Sequence, residues 1–338
     1  MKTIISKITF SSVILAAFVF AGCNKSSPTD SGNASQAGTN KWVKAMNGLA
    51  ANSYYQIANI ENKIYAYSGS KLYSSSNNGE LWSPVGPNLL NNNYFSGLAG
   101  VNNYLAAASA GSGIILSGDL GGTWHERQNE GLDINSKNVK SIVMDSKSVF
   151  IGAGTTATVF RSSDLGNTWV PAKNGLPAAT PAYYPGINLL AKIDSLLFAC
   201  PYSSGIYFSD NNGDNWQPIN EGLPNNSNIW SFAASDSFYF ASVSEMGLYR
   251  SAFNDNNWIK TPVKISFSSQ HFVVAQDNTV IASSDAGIEI SSNNGRTWSS
   301  INDGIENITN NGFYCAVIYN NYVFAVSTDG NVWRCSLK

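Results

Sequence analysis

Charge is scarce in this chain of 338 residues: only 12% are Asp, Glu, Lys or Arg, with 20 basic against 22 acidic side chains. Nucleic-acid recognition favours a basic face, so that class of partner is not expected. Histidine is nearly absent. His125 and His271 stand far apart in sequence, and no Cys or Asp cluster has ligand spacing, so no metal or other cofactor is expected. Four cysteines, one of them near the start, do not make a disulfide framework. No glycine-rich phosphate loop runs from a strand into a helix, no G-x-S-x-G elbow occurs, and no helical period follows residue 22.

What the chain does have is a regular tryptophan. Trp42, Trp82, Trp124, Trp169, Trp216, Trp258 and Trp298 are separated by 40, 42, 45, 47, 42 and 40 residues, and 40 residues follow the last. A period in the low forties carried by short apolar strands predicts a propeller of four-stranded blades. Hydrophobic residues at 43% suffice for a core, and blades that pack only on their neighbours escape the size limit of a single core.

A fixed frame precedes five of the tryptophans. It reads Ser75, Asn77, Gly79 before Trp82; Ser117, Asp119, Gly121 before Trp124; Ser162, Asp164, Gly166 before Trp169; Ser209, Asn211, Gly213 before Trp216; and Ser291, Asn293, Gly295 before Trp298. Before Trp258 the frame has decayed, with Phe253 and Asp255 in place of acid and glycine. Asp or Asn can accept main-chain N–H bonds two residues on, Gly supplies positive φ, and Trp covers the turn. The pattern S-x-D-x-G-x-T-W resembles the Asp-box, or bacterial neuraminidase repeat, and spans residues 41–338.

The two ends are complementary. Lys41 to Leu49 parallels Thr168 to Leu176, the second half of a repeat without its first half. Phe313 to Tyr319, Tyr322 to Ser327 and Val332 to Ser336 read as three strands lacking a fourth. The expected fold is therefore all-β, a seven-bladed propeller whose N-terminal strand closes the last blade and leaves no exposed sheet edge. In size, box density and blade number the chain resembles photosystem II stability and assembly factor-like propellers, which implies an assembly or scaffolding role. It also resembles the repeats of sortilin-type receptors and xyloglucanases.

Residues 1–22 read as a leader. Lys2 and Lys7 precede an apolar run from Val13 to Phe20, which ends in Phe20-Ala21-Gly22-Cys23. This resembles a bacterial lipobox with Cys23 as the lipidated residue, while Phe20 departs from the usual Leu. Residues 23–40, rich in Ser, Asn, Gly and Thr, read as a flexible tether, and 41–338 as the propeller. The resemblance to Gram-negative lipoproteins implies an outer-membrane anchor, since Asn24 is not the Asp of inner-membrane retention. The lipid would be the only membrane contact, and the ring is expected to act as a monomer. Loss of the leader leaves 18 basic against 22 acidic residues.

Catalytic signals are weaker. Sialidases clamp a carboxylate with three arginines and pair Tyr with Glu as nucleophile. Here Arg161, Arg250 and Arg334 share one repeat position, Arg127 and Arg296 lie at or after boxes, and no F-R-I-P motif occurs. Aromatics instead gather where the chain leads into each first strand: Tyr54 and Tyr55, Tyr94 and Phe95, Tyr183 and Tyr184, Trp230, Phe272, Phe313 and Tyr314. The third blade offers Lys137 and Lys140 there. Glu245, Asp285 and Asp329 align on the hairpins between second and third strands of three consecutive blades.

The residues expected to contact a ligand are thus Tyr55, Phe95, Tyr184, Trp230, Phe272, Tyr314, Glu245, Asp285 and Asp329. Acids beside aromatic platforms suit a sugar, whereas aromatics between blades and acids in turns would be structural. A non-catalytic propeller binding an envelope protein or glycan is the expected function. A glycoside hydrolase using Glu245, Asp285 and Asp329 is the alternative. The loop Gly175 to Gly186, with three prolines and Tyr183-Tyr184, is the expected specificity element.

Overall fold

The computed structural model describes residues 40–337 apart from 52, 87–94, 110, 179–185, 266–270, 307 and 309–311. Among these residues, 28 strands form seven antiparallel sheets of four strands each. The first strand of every blade packs against the first strands of both neighbours, so these seven strands line the axis of a closed ring. The chain is a seven-bladed β-propeller.

Each blade is covered on both faces by its neighbours, which is why its inner strands read as continuous apolar runs rather than alternating ones. Gly113–Ser117 and Val149–Ala153 are buried at every position. The outermost strands are the opposite. In six blades they are two residues long and exposed, as at Ser83–Pro84 and Gln217–Pro218. Short, exposed outer strands offer little edge for another chain to pair with.

The ring closes as the complementary ends require. Trp42–Lys44 is the outermost strand of blade 7, pairing Trp42 with Cys335 and Lys44 with Trp333. The Trp42 indole donates to the Ile301 carbonyl of blade 6, and Trp42 itself is 2% exposed. Cys200, Cys315 and Cys335 are free and buried.

Five turns at one end of the ring share one hydrogen-bond pattern. In blade 2 the Ser117 hydroxyl donates to Asp119 Oδ1 (2.7 Å) and accepts from the Gly121 N–H (2.8 Å), while Thr123 N–H donates to Asp119 Oδ1 (2.8 Å). Ser75–Asn77–Gly79, Ser162–Asp164–Gly166, Ser209–Asn211–Gly213 and Ser291–Asn293–Gly295 repeat the serine contacts. The decayed copy does not: Ser251 donates to the Ala252 carbonyl instead.

Glycine is not alone in supplying positive φ. The residue before it, Asn78, Leu120, Leu165, Asn212 or Asn294, also lies at φ 55–60°. Leucine is strained there, and at Leu120 and Leu165 the surrounding bonds hold it in place.

Four tryptophans do more than cover their own turn. Trp42, Trp82, Trp216 and Trp258 donate their indole N–H to a main-chain carbonyl of the preceding blade. Trp124, Trp169 and Trp298 donate to the glycine of their own turn.

The arginines at the shared repeat position have a matching task. Arg161 donates to Asn212 O, Arg250 to Asn294 O and Arg334 to Asn78 O, each carbonyl belonging to the left-handed residue of the next blade's turn. They clasp blades 3–4, 5–6 and 7–1. Inner-strand contacts reinforce the same three interfaces: Ser141 accepts from Leu190 N, Ser231 exchanges two bonds with Val273, and Cys315 faces Ile57 O.

A second glycine repeat follows the tryptophans. A Cβ on Gly48 (φ 92°) would lie 2.0 Å from the Trp82 carbonyl oxygen, and the preceding Asn47 carbonyl accepts from Trp82 N–H. Glu130-Gly131, Asn174-Gly175, Glu221-Gly222 and Asp303-Gly304 make the same approach to the tryptophan of the following blade. These five junctions fix how one blade hands over to the next.

Candidate functional site

The first strands begin at the end of the ring opposite the serine–tryptophan turns. Five of them, Phe95–Val101, Val139–Met144, Ile187–Ile193, Ile229–Ala234 and Phe313–Tyr319, break register at their second residue. A bulge leaves that residue unpaired and re-aims its side chain. The bulged residues are Ser96, Lys140, Asn188, Trp230 and Tyr314. The residues before them, Phe95, Val139, Ile187, Ile229 and Phe313, are buried between blades.

This register corrects the expected aromatic platform. Tyr55, Phe95 and Phe272 are only 1%, 7% and 2% exposed, so they pack blades together and present no face to a ligand. The Tyr55 hydroxyl is held between the N–H and carbonyl of Ala50, and Phe95 meets Tyr67 edge-on. Phe272 sits in a core cluster with Trp42 and Phe313. Trp230 and Tyr314 remain half-buried, as expected of bulged residues. Tyr314 donates its hydroxyl to the Tyr55 carbonyl, and burial pushes its pKa up. Tyr94, Tyr183, Tyr184 and Cys23 lie outside the described residues, as does most of the loop Gly175 to Gly186.

The three acids keep their hairpins but do not act alike. Asp329 is committed to its own turn: Ser327 donates to Oδ1, and Asn331 Nδ2 to Oδ2 at 2.7 Å. Burial raises its pKa, but the bonds from Ser327 and Asn331 more than offset this and the net shift is downward. With both oxygens occupied, it is a turn cap and a poor proton donor. Asp285 is half-buried near His271, whose pKa burial lowers against the opposing pull of the Asp285 charge. Glu245 is exposed at φ 60°.

Of the polar side chains at the bulges the sequence pattern singled out Lys140 but neither Ser96 nor Asn188. Lys140 Nζ donates to Asn188 Oδ1 (2.7 Å), and Asn188 Nδ2 donates to Asn228 Oδ1, linking blades 3, 4 and 5. Lys140 is open to solvent yet crowded by protein, and that desolvation lowers its pKa. Ser96 Oγ and Trp230 Nε1 are shielded from solvent with no hydrogen-bond partner among the described residues. A separate groove of about 640 Å³ runs along the rim between blades 3 and 4, beside the 2.7 Å ion pair of Arg161 and Asp214. Among the described residues no three His, Cys, Asp or Glu side chains cluster as metal ligands would.

Comparison with known proteins bears on this geometry. Residues 5–134, less than half the chain, match the family described as the DUF6242 beta propeller domain. No curated protein matches the sequence. Solved structures do match in fold. YCF48 bound to D1 peptide superposes with a TM-score of 0.62 at 14% identity, covering 88% of this chain and 97% of that one. YCF48 from Cyanidioschyzon merolae gives 0.62 at 13% identity, with 88% and 98% covered. The GH74 xyloglucanase from Xanthomonas campestris gives 0.63 at 14% identity, with 88% of this chain and 54% of that chain covered. At such identity the likeness is one of fold, and it extends over the whole ring.

Proposed function

We propose that this protein is a non-catalytic binding propeller, tethered to the bacterial envelope through a lipid on Cys23 and presenting the bulged end of its first strands to a protein partner. One observation carries the reading. Around a ring whose opposite end repeats the same turn five times, the bulged positions hold Ser96, Lys140, Asn188, Trp230 and Tyr314, a different side chain in each blade. Repeated residues serve the repeat; varied residues at one register position of a rigid scaffold suit recognition.

The serine–tryptophan turns fit membership of the Asp-box class, in which the box is structural. YCF48, alike in length and fold, is bound to a peptide in its solved structure. The xyloglucanase likeness keeps glycan binding or hydrolysis as the competing reading, but Asp329 spends both oxygens on its own turn. The lipid anchor and outer-membrane location rest on the lipobox resemblance alone.

Full-length protein in its native membrane, cross-linked in place and also incubated with a pooled glycan and polysaccharide panel, tests the reading by mass spectrometry. Cross-links from the bulged end to one envelope protein, with no cut glycan, are expected. Cleaved glycans would replace it with the hydrolase reading, and absence of any partner at that end would overturn it.

A further inference from the structure

Lys140, Asn188 and Asn228 stand on three consecutive blades and are joined by two side-chain hydrogen bonds. The polarity of that chain is forced by chemistry. An ammonium has donors only, so the amide oxygen of Asn188 must face Lys140. The NH2 of Asn188 must then donate, and Asn228 must receive with its oxygen. The Asn228 NH2 is left as the free end, with no hydrogen bond to any described residue.

Lys140 also has N–H groups to spare. The ion pairs among the described residues are Arg161–Asp214, Lys192–Asp145 and Arg334–Glu80, and none reaches it. Desolvation is the single cause of its lowered pKa, with no carboxylate pulling the other way. The Lys140 ammonium is exposed, is hydrogen-bonded to Asn188 and has no carboxylate partner among the described residues. Two residues past Asn228, the Trp230 indole N–H is shielded and unpartnered among the described residues. The arc ends in a donor on each side, the Lys140 ammonium and the Asn228 NH2, and carries no carboxylate.

We propose that Lys140, Asn188 and Asn228 form a carboxylate-binding site that takes a Glu or Asp side chain from an acidic segment of the protein partner. The inference rests on the binding role proposed above and gives it a chemistry. A carboxylate has one charge, which a single ammonium balances, and two oxygens, which suit donors from two separate arms. Phosphate, at about −1.5 to −2, would leave charge uncompensated. The half-buried Trp230, at the bulge of the same blade as Asn228, supplies apolar area at that end of the arc.

The full chain, labelled with 15N at tryptophan, is titrated with a hexaglutamate peptide, a hexaglutamine peptide, sodium acetate and inorganic phosphate. The Trp230 indole resonance is assigned by its loss in Trp230→Phe. Saturable shifts with hexaglutamate, weaker ones with acetate and none with hexaglutamine are expected. Lys140→Met should weaken hexaglutamate binding about 10-fold or more, Asn228→Asp should weaken it likewise by repulsion, and Lys140→Arg should retain most of it.

All three variants should melt with wild type, because the substituted side chains are solvent-accessible. Equal binding of hexaglutamine, equal binding by Lys140→Met, or tighter saturation by phosphate would overturn the site. So would no binding of any probe. Cross-links to an envelope partner that persist in Lys140→Met would leave the binding role standing while removing this site, so the two failures are distinguishable.

Discussion

Blade 2 buries two serines on adjacent strands, Ser109 at 1% exposure and Ser117 at 0%, and they lead opposite lives. Ser117, at the turn end, donates to Asp119 and accepts from the N–H groups of Asp119 and Gly121. Ser109, at the bulged end, has a hydroxyl with no partner among the described residues. Ser96 and Trp230 at the bulges and Ser242 on the second strand of blade 5 leave polar atoms unpaired in the same way. A propeller can afford such orphans only where the rest of the blade is well satisfied. The contrast belongs to these two serines and not to the two ends as wholes: at the turn end Asp236 Oδ1 and Asn294 Oδ1 also lack a partner among the described residues, while at the bulged end Lys140, Asn188 and Asn228 are joined by hydrogen bonds.

The largest effect should come from removing a whole turn-end element. Deleting residues 41–49 takes away the fourth strand of blade 7 and the buried Trp42. Loss of a buried Trp side chain alone costs about 3–5 kcal/mol, and the sheet edge of Val332–Ser336 would also be opened. A calorimetric melt should lose cooperativity or fall far below wild type; an unchanged melt would mean the ring closes another way.

Ser117→Ala comes next, at about 1–3 kcal/mol, because it leaves the Gly121 N–H and Asp119 without their partner. Urea titration should register that loss. Arg334→Ala, which frees the blade 7–1 clasp and the cation over the Tyr322 ring, should cost about 1 kcal/mol. The same measurement on Arg161→Ala tests whether the clasps act alike.

Asp119→Asn should act through pH. Hydrogen bonds from Thr123 and Ser117 lower the Asp119 pKa from 3.8 to about 2. A depressed carboxylate stabilises the fold above its unfolded pKa and loses that contribution as pH falls toward the folded value. The acid limb of the melting curve between about pH 4 and pH 2 should therefore flatten in Asp119→Asn. A limb as steep as wild type would remove Asp119 from acid stability.

The smallest change sharpens the contrast most. Ser109→Ala removes an unpaired hydroxyl and should be neutral or slightly stabilising. A loss comparable to Ser117→Ala would mean Ser109 has a partner, and the two serines would no longer differ.

Much of the fold could be read because each blade repeats local chemistry. The serine-to-tryptophan frame marks five turns directly, and the half-repeat at Trp42 announces the closure. The cross-blade work of Arg161, Arg250 and Arg334 was hidden, since their partners are main-chain carbonyls 51, 44 and 256 residues away that carry no residue signature. The candidate site was legible only in outline. Crowding of aromatics drew attention to the end where the first strands bulge, but an aromatic residue is as useful between blades as on a surface, and Phe95 and Phe272 are packed between blades.

The sequence by itself determined the number of blades, the turn that ends the third strand in five of them and the strand that closes the ring, because those depend on residues close together in a repeating frame. Tertiary structure alone decided which side chains face outward. A side chain's face in a strand switches with a one-residue shift of register. The bulges that set this register for Lys140, Asn188, Trp230 and Tyr314 arise from pairing with second strands whose sequences do not announce them.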